Sequence, residues 1–206
     1  MLMRLVLARH GETLENKKGI LQGWREGGLS SKGKKQALLL ARRLKGTKID
    51  FIYTSDLKRA LETAKIISKH NGSIRVIADK RLREKKYGKL EGTKVSEERI
   101  DEVDWGDYTK ENKKANIEKN EDFFYRVKGF YTSLIKKHPT KTILIIGHSG
   151  SILMLQLAMQ GITAKGLKTC KGKIKEQSFT GLSEFQITKN GHYKPICINC
   201  SKHLKS

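Results

Sequence analysis

Apolar residues along this chain come in two rhythms, and the alternation between them predicts the fold. Leu5-Val6-Leu7-Ala8 and Thr142 to Ile146 are short apolar runs, ended by Arg9-His10-Gly11 and by Gly147-His148-Ser149-Gly150-Ser151. Continuous rather than alternating hydrophobicity predicts strands buried on both faces, as in parallel sheets. Ile49 to Tyr53 and Ile74 to Ala78 read the same way. Between them the apolar positions fall at helical spacing. Ala37, Leu38, Ala41 and Leu44 follow an N-cap at Ser30 or Ser31 and stop at Gly46; Ala60, Leu61, Ala64 and Ile67 mark a helix from Leu57 to about His70. A third helix covers Glu121 to His138, where Pro139 stops it, and a fourth Ile152 to Gln160. Leu182 to Ile187 and Tyr193 to Asn199, around Asn190-Gly191, predict a closing hairpin before a polar tail. The expected class is α/β: a three-layer sandwich with a mainly parallel central sheet and helices on both faces.

Two stretches break the rhythm. Glu12 to Gly28 is a polar, glycine-rich loop holding Asn16, Gln22, Gly23 and Trp24, suited to wrapping a ligand. Residues 93–120 are polar and poorly periodic, which predicts an inserted helix and loop over one end of the sheet. The 206 residues suit one domain, 1–206, with this insertion as its substrate-specificity segment.

Composition narrows the setting. A 37% hydrophobic content opposes wholesale disorder. No apolar run nears the roughly 20 residues of a membrane span. The N-terminal run is too short for a secretory leader, so the expectation is a soluble, cytoplasmic protein without a membrane partner. A formal charge of +22 attracts phosphorylated small molecules and polyanions. Because the lysines are scattered with few aromatics among them, a nucleic-acid partner is not expected. The densest patch, Lys165, Lys168, Lys171, Lys173 and Lys175, lies in a glycine-punctuated loop and could steer multiply charged substrates. Cys170, Cys197 and Cys200 are too few and too odd in number for a disulfide framework. Cys197-x-x-Cys200 with His203 has metal-like spacing, but one such cluster at a chain end is weak, and no metal is expected.

The chemistry gathers at strand ends. Arg9-His10 follows the first strand, Arg59 opens a helix after the second, Glu84 follows the third, and His148 follows the fourth. All can converge at the carboxyl edge of a parallel sheet, where such folds bind ligands. Imidazole is a nucleophile or proton carrier near neutral pH, and guanidinium is a rigid fork for phosphate.

This order of motifs resembles the histidine phosphatase superfamily, also called phosphoglycerate mutase-like, over Arg9 to Asn16, Leu29 to Leu44, Tyr53 to Ala64, Leu82 to Gly92 and Gly147 to Ser151. The resemblance implies that His10 is the phosphorylated nucleophile, that Arg9, Arg59 and His148 hold the phosphoryl oxygens, and that Glu84 is the proton donor. Glu91, also close to a glycine, is the competing carboxylate. Asn16, Gln22, Gly23 and Ser149 are further substrate-binding candidates. With two guanidiniums in place of a metal ion, no cofactor is implied. The expected activity is metal-independent hydrolysis of small phosphomonoesters through a phosphohistidine. Cofactor-dependent phosphoglycerate mutases are the alternative, but residues 93–120 contain only Arg99 and no Arg-Arg pair to grip a substrate carboxylate. A catalytically inactive regulatory or nucleic-acid-binding module is the second alternative, and a homodimer is left open.

Overall fold

A computed structural model of the protein describes residues 2–172, 176–188 and 190–205, with Glu102 described by its backbone alone. Lys173 and Lys175 of the basic patch therefore lie outside the described residues. Six strands, β1 (Met3–Arg9), β2 (Phe51–Thr54), β3 (Val76–Ala78), β4 (Thr142–Gly147), β5 (Leu182–Ile187) and β6 (Tyr193–Cys200), form one sheet in the order β3-β2-β4-β1-β5-β6. β3, β2, β4 and β1 are parallel neighbours, while β5 runs against both β1 and β6. The mainly parallel sheet is thus observed, with a closing hairpin added at one edge. That hairpin turns where the Thr188 N–H donates to the His192 carbonyl at 2.8 Å.

Period-two alternation explains why β1 and β4 read as continuous apolar runs. Leu5, Leu7, Ile143 and Ile145 point into one core layer with Phe123, Phe124, Val127, Phe130 and Leu134 of α6 (Asn120–Lys137) and Ile152 and Leu155 of α7 (Ser149–Met159). Val6, Ala8, Leu144 and Ile146 point into the opposite layer with Leu40, Ala41 and Leu44 from α2 (Ser31–Arg43) and its C-cap, and with Ala60, Ala64 and Ile67 of α3 (Lys58–His70). Each strand serves two cores, so no face is left to be polar.

Other differences from expectation are local. A single turn, α1 (Leu14–Lys17), lies inside the first loop, with Thr13 as its N-cap. Helix α7 begins at Ser149 rather than Ile152, because the Ser151 hydroxyl accepts the His148 N–H at 2.9 Å and completes the first turn. Residues 164–170, expected as loop, form 3₁₀ turns. The segment 93–120 holds α4 (Glu97–Trp105) and α5 (Lys110–Lys114). Its anchor is a small separate cluster of Tyr87, Val103 and Ile117, with Leu21 and Leu90 packed against it. Among the described residues no helix is long and apolar enough to cross a membrane.

Candidate active site

Strand pairing brings the two histidines together. β1 and β4 are parallel neighbours in register Arg9 to Gly147, and the His10 N–H donates to the Gly147 carbonyl at 3.0 Å. His10 and His148 therefore leave the sheet at equivalent points, with ring centroids 5.0 Å apart and planes at 62°. His10 lines a cavity of about 440 Å³ together with Arg9, Arg59, Glu84, Asn16 and Ser149. His148 is fully buried, packs edge-on against the His10 ring and is not itself among the residues lining the cavity.

The His10 Nδ1 lies 2.7 Å from the Gly11 carbonyl. A carbonyl only accepts, so Nδ1 carries the proton and Nε2 of the neutral ring is left with its lone pair. Burial, then the charges of Arg59 and Arg9, hold the pKa of His10 well below the usual 6.5, and the Gly11 bond opposes them only partly. Burial likewise depresses His148, with Arg59 and His10 adding to it. Both imidazoles are neutral at physiological pH.

Arg59 is almost wholly buried in the first turn of α3 and donates to the carbonyls of Gly23 at 2.8 Å and Arg25 at 3.0 Å. Burial drops its pKa to about 10, the Glu84 charge working against the drop, so it remains a cation. Arg9 donates to the Gln177 carbonyl at 3.0 Å and lies 4.2 Å over the Phe179 ring. Nε of Arg9, Nε of Arg59 and both ring nitrogens of His148 are buried without a hydrogen-bond partner among the described residues. Each such atom costs about 1–3 kcal/mol when left unpaired. One N–H on each arginine and one on the neutral His148 ring make three unpaired donors, a set suited to an oxyanion.

Glu84 supplies a carboxyl group. It accepts the Lys85 N–H at 2.9 Å and the Gly150 N–H, at the start of α7, at 3.1 Å. These bonds, like the nearby Arg59, favour the ionised form, yet burial outweighs them and raises the pKa. A side chain at Gly150 would collide with this carboxylate, which is why the position is glycine. The Glu84 carbonyl is pinned by Trp24 Nε1 and by Arg126, each at 2.7 Å. Glu91 is occupied elsewhere, accepting the N–H groups of Trp24 at 3.1 Å and Tyr87 at 2.9 Å, and does not line the cavity. Between the two carboxylates, only Glu84 faces the cavity.

The first loop wraps the same cavity. Asn16 Oδ1 accepts from the Thr13 backbone N–H at 3.1 Å, which leaves the amide NH₂ as its free donor end. Gln22 packs against the Thr13 hydroxyl at 2.8 Å. Gly23 takes φ +52°, and a side chain there would strike Glu91. Ser149 lines the cavity but donates its hydroxyl to Glu176 at 3.2 Å.

Several lining residues carry no signal in the sequence: Lys85, Tyr87, Asp101, Asp104, Trp105 and Glu176. Nothing in the run Arg83-Glu84-Lys85-Lys86 marks Lys85 as the buried member. The basic patch is also less free than expected. Lys171 pairs with Asp101 at 2.9 Å and Lys168 with Asp107, tying the 164–172 segment to α4 and the turn after it. No group of three or more His, Cys, Asp or Glu among the described residues is arranged to hold a metal ion.

A buried neutral imidazole flanked by arginines and a raised-pKa carboxylate, all at the carboxyl edge of a parallel sheet, has the parts that phosphoryl transfer through histidine requires. The sequence profile described as "Histidine phosphatase superfamily (branch 1)" matches residues 5–192. The chain is 32% identical over 200 residues to a phosphoglycerate mutase of Schizosaccharomyces pombe, covering 92% of each. It is 33% identical over 166 residues to phosphoserine phosphatase 1 of Hydrogenobacter thermophilus, covering 78% of each. Among solved structures, YhfR of Bacillus stearothermophilus superposes with a TM-score of 0.82 at 26% identity, over 98% of this chain and 99% of that one. The protein belongs to the histidine phosphatase superfamily.

Proposed function

We propose that the protein is a metal-independent phosphomonoester hydrolase that works on small phosphorylated metabolites through a phosphohistidine at His10. The observation that carries this reading is the Nδ1 bond from His10 to the Gly11 carbonyl, 2.7 Å, which leaves the Nε2 lone pair among unpaired arginine and histidine nitrogens. In the first step Nε2 attacks phosphorus, the ester P–O bond breaks, and protonated Glu84 gives its proton to the departing alkoxide. In the second step Glu84, now a carboxylate, takes a proton from water as the water attacks phosphorus, and the P–N bond breaks. Arg9 and Arg59 on the cavity wall, joined by the unpaired ring N–H of His148 packed against His10, stabilise the equatorial oxygens, and the two guanidiniums supply the positive charge that a metal would otherwise provide.

Hydrolysis is favoured over mutase activity because the residues of α4 that reach the cavity are Ile100, Asp101, Asp104 and Trp105. Arg99 does not line it and donates to Asn112 at 3.1 Å. The covering segment 93–120 thus carries the substrate specificity of a single domain. Incubation with phosphomonoesters, with a chelator present, should release inorganic phosphate, and His10→Ala should abolish both release and acid-quenched phosphoenzyme. Phosphate migration without release, dependent on a bisphosphate primer, would replace the hydrolase reading with the mutase one.

A further inference from the structure

The cavity wall formed by α4 and the residues next to Glu84 has a feature the phosphoryl-transfer reading does not use. Lys85 is 2% exposed, and its ammonium donates to the Val103 carbonyl at 2.6 Å, to Asn120 Oδ1 at 2.5 Å and to Asp104 Oδ1 at 3.1 Å. All three of its N–H bonds are used within the protein. Its partner Asp104 is 29% exposed and is steadied by the Tyr87 hydroxyl, 3.0 Å from Oδ2. Both residues line the cavity, but the ammonium has no N–H left for a ligand, whereas the Asp104 carboxylate is partly exposed. Lys171, the other lysine on the described wall, is already paired with Asp101. Trp105 lines the same wall, an aromatic residue of the kind that attracts cations, while the Phe123 ring beside it is already taken by the Arg126 guanidinium, 4.5 Å from its centroid.

Two electrostatic effects agree with this geometry. Burial raises the pKa of Asp104, Lys85 and Tyr87 opposing the rise and Glu176 adding to it, so a cation brought to the cavity would stabilise the ionised carboxylate. The charge of Asp104 is also felt at Glu84, the group beside the departing oxygen. The next atoms of a leaving alcohol would thus lie within the field of Asp104.

Resting on the phosphatase reading, we propose that Asp104 selects the leaving group, favouring phosphomonoesters whose short alcohol carries an ammonium and disfavouring those that carry a carboxylate. Lys85 and Tyr87 act as positioning residues that hold the carboxylate toward the cavity.

A matched two-carbon series tests this: phosphoethanolamine, 2-hydroxyethyl phosphate and phosphoglycolate, with phenyl phosphate as the reporter of chemistry. The expected order of kcat/KM is ammonium over hydroxyl over carboxylate, spanning roughly tenfold or more, as one opposite-charge contact exchanged for a like-charge one requires. In Asp104→Asn the ratio of phosphoethanolamine to phosphoglycolate should collapse toward one. A wild-type preference for phosphoglycolate overturns the proposal, as does an unchanged ratio in the variant. Should Asp104→Asn fail to fold, the wild-type order still decides. If phenyl phosphate itself is not hydrolysed, the phosphatase reading fails; calorimetric binding of phosphoethanolamine against phosphoglycolate then judges Asp104 separately, equal affinities counting against it.

Discussion

At the sheet end of the cavity, Arg9, Arg59 and His148 keep buried nitrogens without partners among the described residues, whereas at the α4 end Lys85 uses every N–H it has. The first region stands on strand ends between two packed cores; the second rests largely on a separate small cluster, with Trp105 reaching the edge of one main core. Unpaired polar atoms are costly, and only surroundings as rigid as a doubly covered sheet hold them in place. The α4 end, with less core beneath it, satisfies its polar groups internally and presents mainly charge and shape. On the proposed function, chemistry resides where the fold is stiff and selection where it is thin.

The largest way to sharpen this contrast is His10→Ala. Loss of the nucleophile should lower kcat by about 10⁴–10⁶ with little change in melting temperature, as removal of a covalent nucleophile does elsewhere. Retention of full turnover would end the phosphohistidine mechanism. Arg59→Met should lower kcat/KM by about 10²–10³, the scale of one lost oxyanion donor. It should also loosen the first loop, because the Gly23 and Arg25 carbonyls lose their donor; hydrogen exchange across residues 22–28 reads that second effect.

Glu84→Gln should cost alkyl phosphates about 10²-fold or more and esters with good leaving groups far less. Equal losses would remove its role as acid. The pH profile gives the same test. His10 must be neutral to attack, and burial and the two arginines hold its pKa well below 6.5, so the acidic limb falls below that value. Glu84 must be protonated to donate, and burial raises its pKa, so alkyl-ester hydrolysis declines as pH rises through that raised value. Glu84→Gln should erase the alkaline limb and keep the acidic one.

The smallest expected effect lies at the α4 end. Asp101 and Lys171 are both about half exposed, and such pairs contribute little. Asp101→Asn should change unfolding free energy by less than about 0.5 kcal/mol. A loss of several kcal/mol in a denaturant melt would show that the α4 end is as tightly coupled to the core as the sheet end, and the contrast would break.

Much of the sheet end is legible in the amino-acid pattern. The continuous runs at Leu5 to Ala8 and Thr142 to Ile146 mark the strands, and chain order places Arg9, His10, Arg59, Glu84 and His148 at or just beyond strand ends. Those inferences succeed because strand hydrophobicity and cap chemistry are local properties. The start of α7 differs from expectation by three residues, since Ser149-Gly150-Ser151 has no apolar period and becomes helical only through the Ser151 bond to the His148 N–H. The hairpin edge is visible in its two apolar runs, but its antiparallel pairing to β1 follows from which strand it meets in space.

What the sequence determined alone, then, is the layered α/β plan, the chain positions of the candidate nucleophile and acid, and the family. Tertiary structure decided the rest: that His148 packs against His10, that Glu84 rather than Glu91 faces the cavity, and that the Lys85 ammonium is buried among protein acceptors. Periodicity records only which face of an element is apolar. A charged residue's burial depends on partners distant along the chain, here Val103, Asp104 and Asn120, and no local pattern encodes that meeting.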